Sequence, residues 1–254
     1  MSFEAALILA VVIIVITFVA VLVLWAARHQ KAKQEEMKSA ASARGWHFEV
    51  KSEKGYRIQR WTGTTEGVPW VAESLSQRSG GHGNHHRRYI ARWHGTWSPG
   101  ISGAILAMGL PKGKEDLSRT IVEGDGVFAK LAQKAAGFAL DKAIDTYFGD
   151  GPGKEVDAAT LHRVEAKTPG FAVMAADKEE GARVLQQGLE QALVTAVGDA
   201  RSVLSEDKRP WILLRPTTVS LARMEQFRDA NEIESFVRAG LALTRTSKFA
   251  RPFA

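Results

Sequence analysis

Three histidines and three arginines lie close together in one glycine-rich segment. They are Arg78, His82, His85, His86, Arg87 and Arg88, within the sequence RSGGHGNHHRR. Imidazole is a common ligand of zinc, copper and nickel, so metal binding is the first chemistry to consider. No cysteine or acid lies nearby, the glycines leave the loop without a fixed shape, and the arginines repel a cation. We therefore expect no metal site in this segment.

The charge pattern around these residues indicates a different use. Residues 74–114 contain no Asp or Glu, whereas they contain several Arg and Lys and four His, and histidines gain charge below about pH 6.5. A mobile basic loop over residues 78–88 could bind anionic lipid headgroups, where each basic residue contributes about 1 kcal/mol. The alternative is a solvated loop with no partner. The sequence leaves both interpretations open.

Two other motifs lack the residues or the surroundings that their chemistry requires. The glycine-rich stretch 149–154 lacks the Ser or Thr that a phosphate-binding loop requires, and Pro152 removes one of its amides. Ser205 and Lys208 match a Ser-x-x-Lys spacing, but a charged loop does not desolvate a lysine into a base. The chain has no cysteine, which excludes disulfides and thiolate metal sites. We predict no catalytic residue and no cofactor.

An apolar segment near the N-terminus determines where the protein resides. Residues 5–27 carry no charge and reach about 34 Å as a helix, enough to cross a hydrocarbon core of about 30 Å. A signal peptide would have a basic start and a shorter apolar run, and a soluble core helix would have a polar face. We predict one transmembrane helix after a short exported N-terminus, residues 1–4.

The basic residues that follow this segment predict its orientation. Five of them come within about 20 residues of the membrane: Arg28, Lys31, Lys33, Lys38 and Arg44. By the positive-inside rule, the C-terminal side stays in the cytoplasm. The expected partners are the bilayer, through residues 5–27, and either anionic lipid or a protein. A net charge of +6 over 254 residues is too small to predict nucleic-acid binding.

The remaining sequence predicts an α+β fold with antiparallel sheet packed against helices. A polar helical linker covers 28–45 and ends at Gly45, and a cytoplasmic domain covers 46–254, with possible halves 46–150 and 155–254. Alternating patterns predict strands at 46–50, 56–64, 68–75, 88–97, 104–110, 161–166, 171–175 and 210–215. Helices are predicted at 115–148, with a break at 124–126, and at 178–197 and 224–244. The four tryptophans of the strands are expected to pack between the sheet and these helices: Trp61, Trp70, Trp93 and Trp97.

Several structural motifs are similar to those of one family. They are Arg44-Gly45-Trp46 after the anchor, the GTTEG hairpin before Trp70, FAVMAAD at 171–177 and PWILLR at 210–215. In these features the chain resembles a group of bacterial single-pass membrane proteins of unknown function. The resemblance implies an inner-membrane location and assigns no activity.

Two classes of function remain open from the sequence. The first is a membrane-anchored, non-enzymatic binding or scaffolding module at the cytoplasmic face. The second is a membrane-tethered, hydrolase-like enzyme that uses carboxylates with His94 or His162. The lack of a convergent nucleophile, base and oxyanion site favours the first.

Overall fold

A single helix covers both the apolar segment and the polar linker. In the computed structural model, α1 runs over Phe3–Ala43, a length of 41 residues. Gly45, with φ of 71°, follows the helix, and the amide of Trp46 donates to the carbonyl of Ala41 at 2.9 Å. This left-handed glycine allows the chain to turn back toward the sheet. The helix thus extends through residues 28–43, and the chain turns at Gly45.

Within the predicted membrane span, the part of α1 from Ile13 to Trp25 is not packed against the rest of the described structure. The large apolar side chains from Ile13 to Trp25 are 47–67% exposed, so α1 is not a buried core helix. The one polar side chain there, Thr17, donates to the carbonyl of Ile13 at 2.8 Å and is satisfied within the helix. The helix is long and apolar enough to span a membrane.

Nine antiparallel strands form one sheet in the order β1-β2-β3-β4-β9-β8-β5-β7-β6. The structure describes residues 3–53, 55–78, 87–97, 100–110, 127–149, 153, 155–168, 170–194 and 209–246. The strands are β1 His47–Glu53, β2 Tyr56–Thr65, β3 Val68–Arg78, β4 Arg87–Thr96, β5 Ile105–Gly109, β6 His162–Val164, β7 Phe171–Ala175, β8 Trp211–Arg215 and β9 Thr218–Arg223. The α+β class and the antiparallel pairing are therefore confirmed.

The β2–β3 hairpin shows how local sequence determines the register. Glu66 and Gly67 form a two-residue loop in which both φ angles are positive, 53° and 79°. This combination is typical of the turn that matches the right-handed twist of paired strands. It aligns Trp61 opposite Ala72 and Gly63 opposite Trp70.

Three helical segments cover one face of the sheet, which we call the α1 face. They are the end of α1, helix α3 at Lys178–Val184, and helix α4 at Ala230–Thr246. A kink at Gly188, where φ is 130°, separates α3 from a second helical stretch that reaches residue 194. Trp61, Trp70 and Trp93 are at most 2% exposed in this core. The prediction that they pack between strands and helices is confirmed.

Acidic side chains cap the two helices α3 and α4 at their N-termini. Asp177 begins α3 by accepting from the amides of Glu179 and Glu180. The carboxylate of Glu180 accepts from the amides of Ser102 and Gly103, which attaches the loop before β5. Helix α4 begins at Ala230 rather than at the predicted position 224, because Asp229 caps it by accepting from the amides of Asn231 and Glu232.

Helix α2, at Val127–Phe148, lies on the opposite face. Ile144 and Phe148 are buried there against Leu106 and Leu213. The apolar side chain of Phe138 on the same helix is 72% exposed. The C-terminal carbonyls of α2 at Thr146 and Tyr147 accept from Arg92 of β4, each at 2.7 Å.

Strand β9 was not predicted from the sequence. It connects the part of the sheet that contains β1 to β4 with the part that contains β5 to β8. It pairs with β4 on one side and β8 on the other. Because β4 precedes residue 150 and both β8 and β9 follow residue 155, the sheet contains strands from both of the halves that the sequence suggested. Strand β5 likewise pairs with β7 and β8.

Candidate functional site

The strand directions show which end of the sheet lies next to the apolar part of α1. Helix α1 leads away from residue 27, and β1 runs back along it after the turn at Gly45. The end of β1 at Glu53, the start of β2 at Tyr56 and the end of β3 near Gln77 are aligned in register. These strand ends line a common groove with Gln30 of α1. We call this the proximal end of the sheet, and the Glu66–Gly67 turn marks the distal end.

Helix α1 is firmly attached to the sheet at its C-terminal end. Met37 and Ala41 are each 3% exposed within the core. Arg44 donates from Nε to Glu234 of α4 at 2.9 Å, and its guanidinium lies over the Trp46 ring at 5.7 Å. The apolar span and the sheet are thus parts of one continuous structure, with no flexible linker between them.

The predicted basic segment emerges from the proximal end. The structure extends β3 to Arg78 and starts β4 at Arg87, and these two positions are opposite one another, as are Gln77 and Arg88. The three arginines therefore occupy paired strands rather than the loop that the sequence predicted. His82, His85 and His86 lie outside the described residues.

A polar groove separates α1 from the proximal part of the sheet. Its volume is about 620 Å³, within the range of about 300–1,000 Å³ that is usual for ligand sites. Gln30, Lys33, Gln34 and Met37 form the wall on α1. The floor consists of side chains from four adjacent strands, Ser52, Arg57, Gln59, Ser74, Ser76 and Tyr89. Gln226 and Phe227 close the end below α4. We call this space the α1 groove.

The strand register explains the polar floor of the α1 groove. Ser52, Arg57, Ser76 and Tyr89 form one cross-strand row, and Gln59 and Ser74 belong to the next row toward the core. These rows continue the α1 face beyond the point where apolar side chains end. A covered sheet face would normally be apolar here, so a row of amides and hydroxyls beneath a helix is a candidate binding surface. The sequence analysis overlooked it because the same pattern is typical of a solvated strand.

The groove has an excess of positive charge. Within the described part of the chain, Lys33 and Arg57 make no ion pair or side-chain hydrogen bond, and Glu53 is the acid on the rim. Arg223 of β9 lies in the same cross-strand row as Gln59 and Ser74. It is 2% exposed and lies over the rings of Phe227 and Phe236 at 5.7 and 4.8 Å.

The buried guanidinium of Arg223 is incompletely paired. Among the described residues, its Nε and Nη2 have no hydrogen-bond partner, and Oε2 of Glu225 is 3.7 Å from Nε. Burial lowers the pKa of Arg223, while Glu225 and Glu232 oppose that shift. A buried, weakly compensated cation next to the end of the groove adds to its positive potential.

His94 does not have the surroundings of a catalytic base. Its Nδ1 is 2.9 Å from Oγ of Ser220, and this serine is completely buried. Burial, together with the charges of Arg92 and Arg215, lowers the pKa of His94 to about 3. A base this weak, beside a serine that no substrate can reach, has no role in acyl transfer at neutral pH. His162, the other candidate, is exposed at the start of β6.

Asp141 has a structural role, and the Ser205 and Lys208 motif lies outside the described residues. Asp141 of α2 accepts from the amide of Ala158 at 2.9 Å and holds the short 3-10 turn Ala158–Thr160. Among the described residues, no group of three His, Asp or Glu side chains could hold a metal ion. The expectation of no metal at His82, His85 and His86 stays a prediction, because those residues are outside the described part.

Comparison with known proteins adds little to these observations. No family model matches the sequence, and no curated protein matches it. The fold is similar to the crystal structure of the mycobacterial trehalose monomycolate transport factor A, TtfA, with 8% sequence identity and a TM-score of 0.45. The match covers 87% of this chain and 97% of that one. A similarity at this level supports no argument about function.

Proposed function

We propose that the protein is a membrane-anchored, non-enzymatic binding module at the cytoplasmic face of a bacterial inner membrane, and that the proximal end of its sheet contacts anionic lipid. The continuous path of α1 from the apolar span into the core supports this proposal. A helix rises about 1.5 Å per residue, so the proximal strand ends beside Gln30 lie only a few ångströms beyond the apolar segment. The basic hairpin stem emerges at this same level.

The orientation part of the proposal rests on charge. The five Lys and Arg between positions 28 and 44 favour retention of the C-terminal side in the cytoplasm. Trp25, which is 66% exposed and stacks on His29 at 5.6 Å, is a suitable interfacial residue at that end of the span. The bacterial inner membrane is proposed from the family resemblance described above.

The test compares lipid retention by the full-length protein and its variants. The protein is reconstituted in nanodiscs of phosphatidylcholine with about a third phosphatidylglycerol, extracted gently, and analysed by native mass spectrometry. We expect the wild type to retain phosphatidylglycerol in preference to phosphatidylcholine. The R87A/R88A variant should lose much of that preference, because each juxtamembrane basic residue contributes about 1 kcal/mol.

The control removes the same amount of charge elsewhere. Lys178 and Arg238 are exposed residues of α3 and α4, away from the proximal end. The K178A/R238A variant should retain lipid like the wild type. Equal retention by wild type and R87A/R88A would contradict contact through the hairpin.

A further inference from the structure

We propose that the α1 groove is a specific site for the headgroup of one anionic phospholipid, in which a phosphate and its attached hydroxyl groups enter between α1 and the sheet. This inference rests on the proposed function, since it identifies a bound ligand for the membrane-facing end. A headgroup site in the α1 groove requires a pocket with defined polar side chains. Lipid contact through the hairpin stem requires only basic residues near the membrane surface.

The height of the groove relative to the apolar span supports a lipid as the occupant. Gln30 and Lys33 follow Ala27 by three and six residues, which corresponds to roughly 4.5 and 9 Å along the helix. The headgroup layer extends roughly 5–8 Å beyond each side of the hydrocarbon core. The open end of the groove at Gln30 therefore lies at the level of the headgroups, and Lys33 lies just beyond that layer. A headgroup can extend into the groove from this end while its acyl chains stay in the bilayer.

The chemistry of the lining supports an anionic, hydroxyl-rich headgroup. Lys33 and Arg57 offer N–H donors that no described residue occupies, and both are suited to phosphate oxygens. Gln30, Gln34 and Gln59 add amides that can both donate to and accept from hydroxyl groups. An apolar ligand would leave these groups unpaired, and a cation would face two positive side chains against Glu53 alone.

Arg223 strengthens this preference for an anion. Its guanidinium is buried next to Phe227, which closes the end of the groove. Burying such a charge without full pairing is costly, and an anion bound nearby offsets part of that cost. Arg223 therefore adds positive charge at the closed end of the groove, where Glu225 offsets it in part.

The experiment uses the full-length protein in detergent, titrated with phosphatidylglycerol or phosphatidylcholine and observed by native mass spectrometry. The K33Q/R57Q variant removes both accessible charges of the groove. We expect its affinity for the first bound phosphatidylglycerol to fall about thirtyfold, which corresponds to about 2 kcal/mol at about 1 kcal/mol for each residue. Unchanged affinity in this variant would overturn the proposal.

The control variant, K31Q/K51Q, removes one lysine from α1 and one from β1. Neither residue lines the groove, and Lys51 projects from the opposite face, opposite Ile58. Its affinity should fall by no more than about fivefold, which corresponds to the contribution of about 1 kcal/mol from Lys31 alone. An equal loss in K31Q/K51Q and K33Q/R57Q would show a diffuse charge effect and would overturn the specific site.

A second variant tests occupancy without changing charge. Ser76→Phe fills the floor of the groove beside Arg57 and Tyr89, and it should also abolish the tight binding event while near-ultraviolet circular dichroism stays native. Folded S76F protein that binds lipid normally would overturn the groove as the site. Selectivity lost in R87A/R88A but kept in K33Q/R57Q and S76F would leave the proposed function intact and reject only this inference.

A soluble phosphate compound could occupy the groove in place of a lipid headgroup. Glycerol 3-phosphate and inorganic phosphate are therefore offered as competitors. We expect neither to displace the lipid at concentrations up to about a thousandfold above it, because the acyl chains hold the headgroup beside the groove. Displacement by either competitor at equimolar concentration would overturn assignment to a lipid. Absence of any preference for phosphatidylglycerol in the wild type would reject both the site and the proposed function.

Discussion

At the scale of single residues, the polar groups of this protein divide into those with partners inside the fold and those left available. Arg92 completes the C-terminus of α2, and Arg60 donates to Glu73 at 2.7 Å across the strands. Arg215 pairs with Glu155 and also donates to Oγ1 of Thr218. By contrast, Lys33 and Arg57 face the α1 groove. This difference, rather than residue type, distinguishes a structural cation from a candidate ligand-binding one.

The buried histidine predicts a dependence of stability on pH. The pKa of His94 is lowered to about 3 in the folded protein, whereas it is near 6.5 in the unfolded chain. Between these values the unfolded state binds one proton more than the native state. The free energy of unfolding therefore rises with pH across this window and reaches its full value above about pH 6.5.

We expect wild-type protein to lose about 1.4 kcal/mol of stability for each pH unit below about 6.5 from this residue. Urea unfolding of the detergent-solubilised protein, followed by tryptophan fluorescence at pH 6.5 and 5.5, measures the loss. His94→Gln should flatten the dependence, and His162→Gln, at an exposed position, should leave it unchanged. Parallel pH profiles for wild type and His94→Gln would contradict the assignment.

At the scale of elements, close approach between helix and sheet requires particular small residues. A Cβ atom at Gly240 of α4 would lie 2.5 Å from Cε3 of Trp93, a ring that is completely buried. Gly137 of α2 is also within a helix, but nothing lies within 4 Å of a Cβ atom there. Gly240 is therefore required for close packing against Trp93, whereas Gly137 is not required for packing, although both are helix-weakening residues in the sequence.

Replacing these two glycines with alanine should have opposite effects. Gly240→Ala overpacks the core against Trp93 and should cost about 1–3 kcal/mol. Gly137→Ala relieves the low helix propensity of glycine and should stabilise the protein by up to about 1 kcal/mol. Melting temperatures of the two variants test this, and a stabilising Gly240→Ala would show that α4 lies farther from the sheet.

Charge placed on the two sides of the 178–194 helix tests its assigned orientation. Leu189 is 1% exposed and Val194 is 52% exposed. Leu189→Asp buries an unpaired carboxylate, which costs several kcal/mol, and should unfold the domain. Val194→Asp should change the melting temperature by little. Similar melting temperatures for both variants would contradict the burial of this face.

At the scale of the whole molecule, helix α1 passes without a break from the exposed apolar stretch to Met37 and Ala41 in the core. In the proposed membrane placement, this continuity sets the distance between the membrane and the sheet. A domain on a flexible linker could approach the membrane surface at any distance. In our proposal, the length of the helix determines which residues reach the headgroups.

Lengthening α1 should therefore remove lipid selectivity without unfolding the domain. Inserting seven helix-forming polar residues between Ala27 and Arg28 adds nearly two turns and raises the sheet by about 10 Å at a similar rotation. We expect native tryptophan fluorescence together with a loss of preferential phosphatidylglycerol retention. Retained preference in the lengthened protein would show that height is not the determining factor.

The proposed orientation has its own test in living bacteria. A C-terminal fusion to alkaline phosphatase should be inactive, and a fusion to green fluorescent protein should fluoresce, because the proposed location of the domain is cytoplasmic. Replacing the five Lys and Arg between positions 28 and 44 with Gln should weaken this preference. An active alkaline phosphatase fusion of the wild-type chain would reverse the assigned topology.

The sequence by itself determined the features that depend on neighbouring residues. The apolar run and the glycine at position 45 were sufficient for α1 and its end, and alternation was sufficient for eight of the nine strands, because helix and strand periods and turn glycines are local properties. The α+β class followed from their order. The short β9 at Thr218–Arg223 was missed, since six residues beside a strong β8 pattern carry little independent signal.

Only the tertiary structure decided what lies between these elements. The pairing of β4 with β9 joins distant parts of the chain into one sheet, and Phe138 is exposed although its helix is apolar. The α1 groove arises where polar rows of β1 to β4 pass beneath α1. Its residues are far apart in sequence and look individually like solvated surface. They form a site only because long-range strand pairing and the docking of α1 bring them together.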